Sequence, residues 1–128
     1  MRMVLDTNAY SDWRRYGRWN SLISTAGDVF MPSIVLGELR YGLRRAALGP
    51  QNEAQLSRFL IHARVRVLQV DEATSRIYAD LKNYLHAAGK PIPENDIWIA
   101  SLAVQAGALL VSADAHFDFL PQVAKAVE

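Results

Sequence analysis

Cysteine is absent from this chain of 128 residues. That excludes disulfides, thiolate zinc sites and iron–sulfur clusters, and leaves the redox compartment open. Histidine is scarce. His62, His86 and His116 have no paired spacing of the kind that builds a zinc site. His62 and His86 read as helix-face or surface residues. His116 stands close enough to Asp114 to meet a substrate, but its position favours a loop histidine without a chemical role. No apolar run approaches the length of a membrane span, and Met1–Asp6 reaches an acid too early for a signal peptide. The expectation is a cytoplasmic protein with no membrane association. Strong charge of either sign is also missing, the net being +1. Residues 1–50 carry seven Lys and Arg against four Asp and Glu, and the remainder seven against nine. This asymmetry leaves room for a modest cationic face that meets phosphate, but does not demand one.

What is present is apolar residue in quantity, 51% of the chain, with 21% charged. Such a composition excludes disorder and suffices for a core without staples. The length points to a single domain over 1–128. Its organising stretch is Pro91–Asp114. Pro93 suits a first helical turn. From Asp96 the residues are apolar almost all round, as in a buried helix, and Gly107 is the expected stop. Ala108–Val111 then reads as a central strand buried on both faces, with Asp114 just beyond it.

Elsewhere, Met3–Leu5 forms a short buried strand ending in Asp6-Thr7-Asn8, where Thr7 or Asn8 is suited to cap a helix. Trp13 to Trp19 interleaves aromatic and basic residues, a pattern able to stack on single-stranded nucleic acid. Packing of the tryptophans on the core is the simpler expectation, and the arginines stay open. Ser21–Ala26 continues as a short helix. Val29–Met31 is a second strand closed by Pro32. Ser33 is the expected cap of a helix from Ile34 to about Ala47. Glu38 lies on the edge of its apolar face, and Gly42 suggests close approach of another group beside it. Gly49-Pro50 reads as a break. Leu56, Phe59, Leu60 and Ala63 recur at helical spacing, and Val65–Val70 alternates like a strand. Glu72–Ala88 is an amphipathic helix, with Ala73, Ile77, Leu81, Tyr84, Leu85 and Ala88 inward and Gly89 as its stop. Gln122–Val127 is either an edge strand or a frayed end.

Strands alternate with helices. This predicts an α/β fold, a three-layer α/β/α sandwich around a mostly parallel sheet. Ligands bind beyond the carboxyl ends of such strands, where Asp6, Asp96, Asp114 and Glu38 all fall. Two ionised carboxylates about 4 Å apart repel by roughly 4 kcal/mol at an effective dielectric near 20. Four together need protons or a cation, and an all-oxygen set selects Mg²⁺ or Mn²⁺. Taken singly, each acid is equally well a cap, a turn or a solvated residue; their shared rim argues for a site. Asp118 is a further nearby acid with a supporting place at most.

These residues resemble a PIN-domain ribonuclease of the VapC toxin type. The resemblance rests on Leu5-Asp6-Thr7-Asn8, on Glu38-Leu39-Arg40-Tyr41-Gly42, on Asn95-Asp96 followed by Ile99-Ala100, and on Leu110-Val111-Ser112-Ala113-Asp114 with His116-Phe117. It implies Mg²⁺- or Mn²⁺-dependent endonucleolytic cleavage of RNA, leaving a 5′-phosphate and a 3′-hydroxyl. It carries Asp6, Asp96 and Asp114 over as metal ligands, with Glu38 completing the set or orienting water and Ser112 as a supporting hydroxyl. Arg14, Arg15, Arg40 and Arg44 become candidates for phosphate contact. A homodimer is implied too. So is an antitoxin whose helix packs in a groove and whose basic side chain reaches the acids. Two rival readings are an aspartyl-phosphate enzyme with Asp6 as nucleophile and a catalytically silent RNA-binding module. The first wants a second acid two residues on, where Asn8 stands. The presence of all four acids weighs against the second.

Overall fold

The structure, a computed structural model, describes residues 1–127. Four strands form one parallel sheet among these residues: β1 Arg2–Leu5, β2 Asp28–Pro32, β3 Val65–Leu68 and β4 Leu109–Val111, in the order β3-β2-β1-β4. The helices are α1 Thr7–Tyr16, α2 Asn20–Thr25, α3 Ser33–Leu43, α4 Gly49–Leu60, α5 Glu72–Ala88 and α6 Glu94–Ala106, followed by a 3₁₀ turn at Ala115–Phe119. Met3, Val4, Leu5, Met31, Leu110 and Val111 have no exposed surface. Strands sealed this way must be covered on both faces, which makes the expected three-layer α/β/α arrangement.

The chain runs outward from β1 through β2 to β3, then returns through α5 and α6 to place β4 on the other side of β1. The direction of winding therefore reverses between β1 and β4. At such a point the connections leave their carboxyl ends in opposite senses and open a crevice. Register sets Leu5 beside Val111, so the two strands stop level with one another. Asp6 follows at the crevice, its N–H donating to the Val111 carbonyl at 3.3 Å.

Several expectations need correction. Thr7 and Asn8 lie inside α1, and Asp6 caps it by accepting from the Ala9 N–H. Pro32, not Ser33, is the cap residue of α3, and Pro93 precedes α6 rather than opening it. Helix α3 ends at Leu43 because Ala46 and Ala47 are exposed and have no core to cover. The space beside Gly42 is open. Gly49 begins α4 instead of breaking it, and any Cβ there would meet the Leu43 carbonyl at 2.0 Å. Strand β3 stops at Leu68, two residues short of Val70. Helix α5 packs chiefly along α6. Its buried strip is correspondingly narrow, with Thr74, Leu81 and Leu85 inward and Ala73, Tyr84 and Ala88 exposed. Trp19 is buried and Trp13 packs edge-on against Phe59. The C-terminal stretch contributes one parallel bridge, Lys125 beside Leu110.

Candidate active site

A cleft of about 450 Å³ opens at the β1/β4 reversal. Asp6, Thr7, Asn8, Glu38, Glu94, Asn95, Asp96, Asp114 and His116 line it, with Pro93 and Ile99. No lysine or arginine is among the lining residues.

Asp6 comes from the end of β1 and is 6% exposed. Its Oδ1 accepts from the Ala9 N–H at 2.7 Å, and the buried Ser112 hydroxyl also bonds its carboxylate. Burial raises its pKa to about 6 from an ordinary 3.8, and the negative charges of Asp96 and Asp114 push the same way, while the Ser112 and Ala9 hydrogen bonds oppose them. Asp96 stands in the first turn of α6, where the helix dipole favours a carboxylate. Its pKa is also raised, first by burial and then by Asp114 and Glu38, against the pull of His116. Asp114 is placed by Ser112 at the end of β4: the Asp114 N–H donates to Ser112 Oγ at 2.9 Å. One hydroxyl thus ties together the ends of β1 and β4. Glu38, half-buried on α3, accepts from Thr7 Oγ1 at 2.6 Å and from Asn95 Nδ2 at 3.5 Å.

The structure thus brings Asp6, Glu38, Asp96 and Asp114 to one cleft, with Thr7 and Ser112 holding them and Asn8 at the rim. It does not bring Asp118, which is exposed and paired with Lys125 at 2.9 Å. Nor do the four arginines line the cleft. Arg40 pairs with Glu53 at 2.9 Å, and Arg44 donates to the Arg40 carbonyl. The Arg14 guanidinium lies 3.9 Å over the Trp13 ring. Arg14 and Arg15 instead border a groove between α1 and α3, beside Ser11 and Leu39. The residue that sequence reasoning set aside is His116. The 3₁₀ turn swings its Nδ1 to 3.0 Å from Asp96 Oδ2 and 3.1 Å from Asp114 Oδ1. The only signal for this was its place two residues after a strand-end acid.

Asp96, Asp114 and His116 each offer one ligand atom, all within 4.8 Å of one another. A negatively charged cleft without lysine or arginine, containing a buried carboxyl of raised pKa, suits a divalent cation.

The PIN domain family model matches residues 3–122. Ribonuclease VapC4 of Mycobacterium tuberculosis is 38% identical over 91 residues, 70% of this chain and 69% of that protein. Ribonuclease VapC2 of Haemophilus influenzae is 33% identical over 118 residues, 88% of this chain and 86% of that protein. Among solved structures, VapBC2 from Rickettsia felis bound to a DNA fragment from its promoter superposes with a TM-score of 0.83 at 27% identity, covering 98% of both chains. The chain belongs to the PIN-domain family, in its VapC-type toxin group.

Proposed function

We propose that this protein is the ribonuclease toxin of a toxin–antitoxin pair, a single nuclease domain that cleaves RNA internally with a bound Mg²⁺ or Mn²⁺. The observation that carries this reading is the meeting of four acids at the β1/β4 reversal in a chain whose relatives are ribonucleases. Asp96 and Asp114 would hold the cation, with Asp6 beside them. The cation, when bound, supplies a water of lowered pKa and neutralises charge on the phosphate. Glu38, steadied by the Thr7 hydroxyl, would orient an attacking water and take up its proton. The new P–O bond forms with water as the bond to the 3′-oxygen breaks, leaving a 3′-hydroxyl and a 5′-phosphate. Asp6, held by the Ala9 N–H, would add its charge on the buried side of the cleft. Arg14 and Arg15, in the groove between α1 and α3, are the candidates for flanking phosphates.

The Rickettsia felis neighbour was solved as VapBC2. By analogy we propose a cognate antitoxin for this chain, which would act as a homodimer in the cytoplasm. Among the described residues no helix is long and apolar enough to cross a membrane.

The test is cleavage of end-labelled RNA by purified protein, with and without Mg²⁺ or Mn²⁺. Activity should need the ion and vanish in Asp96→Asn while circular dichroism stays unchanged. Undiminished cleavage by that variant, or full activity in chelator, would overturn the reading.

A further inference from the structure

We infer that the His116 ring is a nitrogen ligand of the cation held by Asp96 and Asp114, and that it tilts the site from Mg²⁺ towards Mn²⁺ and the later transition metals. This rests on the reading above that the cleft holds a divalent ion.

Nδ1 faces two carboxylate oxygens at once, 3.0 Å from Asp96 and 3.1 Å from Asp114. One ring nitrogen and one oxygen from each of two carboxylates thus face one another. Neighbouring ligands of an octahedral ion, with bonds of about 2.0–2.2 Å, are themselves separated by about 3 Å. The two spacings between Nδ1 and the carboxylate oxygens already match those of adjacent ligands on one cation.

The placement is also fixed rather than incidental. The His116 backbone N–H donates to Asp114 Oδ1 at 2.9 Å, closing the first turn of the 3₁₀ segment. Phe117, which follows, is 1% exposed and anchors the segment in the core. The ring stays partly open to solvent, with 43% of its side chain exposed, so an ion can reach it.

The donor type then decides selectivity. Mg²⁺ prefers an all-oxygen set and keeps its waters, whereas imidazole suits transition ions and follows the order from Mn²⁺ upward. Two carboxylates and one imidazole are a mixed set. Asp6, kept busy by Ala9 and Ser112 on the buried side, adds charge without adding softness.

The experiment uses the whole protein and the metals alone. Mn²⁺ and Mg²⁺ affinities are measured by calorimetry and competition for the wild type, His116→Ala, His116→Gln and Asp96→Asn. In parallel, the Mn²⁺ electron-spin-echo spectrum is examined for nitrogen modulation. The wild type should show that modulation. Both His116 variants should lose it, and their Mn²⁺-over-Mg²⁺ preference should fall by roughly tenfold or more. Glutamine keeps a donor for the carboxylates, so it carries the test even where alanine loosens the turn. An unchanged preference and no nitrogen signal, with Mn²⁺ still bound and lost in Asp96→Asn, would overturn the ligand role and leave the metal site standing. Mn²⁺ binding indifferent to Asp96→Asn would overturn both.

Discussion

Replacing Asp6 with asparagine should make the metal-free protein more stable. The Asp6 carboxyl is buried next to two other acids, and its pKa stands at about 6 instead of 3.8. Holding it ionised in the fold costs about 3 kcal/mol at most, since one pKa unit is worth about 1.4 kcal/mol. The sign follows from proton counting. Between pH 3.8 and about 6 the folded state binds this proton and the unfolded state does not, so stability falls as pH rises through that window. Above it the penalty is complete. Asparagine is isosteric and uncharged. It remains a good helix cap, its Oδ1 accepting from Ala9 and its amide facing the Ser112 hydroxyl. After partial relaxation of the wild-type site, the gain at pH 7.5 should be about 1–3 kcal/mol, or roughly 4–10 °C in Tm for a domain of this size. The assay is urea unfolding in chelator at pH 4, 5, 6 and 7.5. The variant's advantage should be small at pH 4 and grow to its full size by pH 7.5. Saturating Mn²⁺ should narrow it by relieving the wild type. Equal stability at pH 7.5, or an advantage that does not change with pH, would refute the electrostatic argument.

Other outcomes test neighbouring parts of the structure. Ser112→Ala removes a fully buried hydroxyl that bonds Asp6 and accepts from the Asp114 N–H; denaturant unfolding should show a loss of about 1–3 kcal/mol. Thr74→Ala removes a buried partner of Asp71 and Gln105 from the capping box of α5; a loss of about 1–2 kcal/mol is expected by the same measurement. Leu110→Ala empties the centre of β4, where the side chain has no exposed surface, and should cost about 2–5 kcal/mol by thermal or urea melt. Asp118→Asn breaks a partly exposed pair with Lys125. It should leave Mn²⁺ affinity unchanged by calorimetry and shift stability by no more than about 1 kcal/mol.

Much of this architecture is written locally. The strand at Met3–Leu5, the all-round apolar helix before Gly107 and the short run to Val111 each carry their own periodicity and stop signals, and the reversal between β1 and β4 then follows from chain order and short connections. Convergence of Asp6, Asp96 and Asp114 could be read in the same way, because strand ends and helix starts share one edge of a parallel sheet. What escaped was set by side-chain reach and by competition between partners. His116 and Asp118 both sit on the turn after β4; the turn aims one at the acids and gives the other to Lys125, a choice with no periodic signature. Arg40 looked free beside Glu38 until α4 brought Glu53 against it. Tyr84 looked inward on an apolar stripe, but α5 leans on α6 along so narrow a line that the ring is left outside.

The pairing of β1 with β4 has a consequence for how the protein is made. Asp6 is synthesised long before Asp96 and Asp114. Until β4 slots in beside β1, the early acid has neither Ser112 nor its charged neighbours. The acids therefore share one cleft only after β4 has docked beside β1, and no fragment that stops short of β4 brings all of them together.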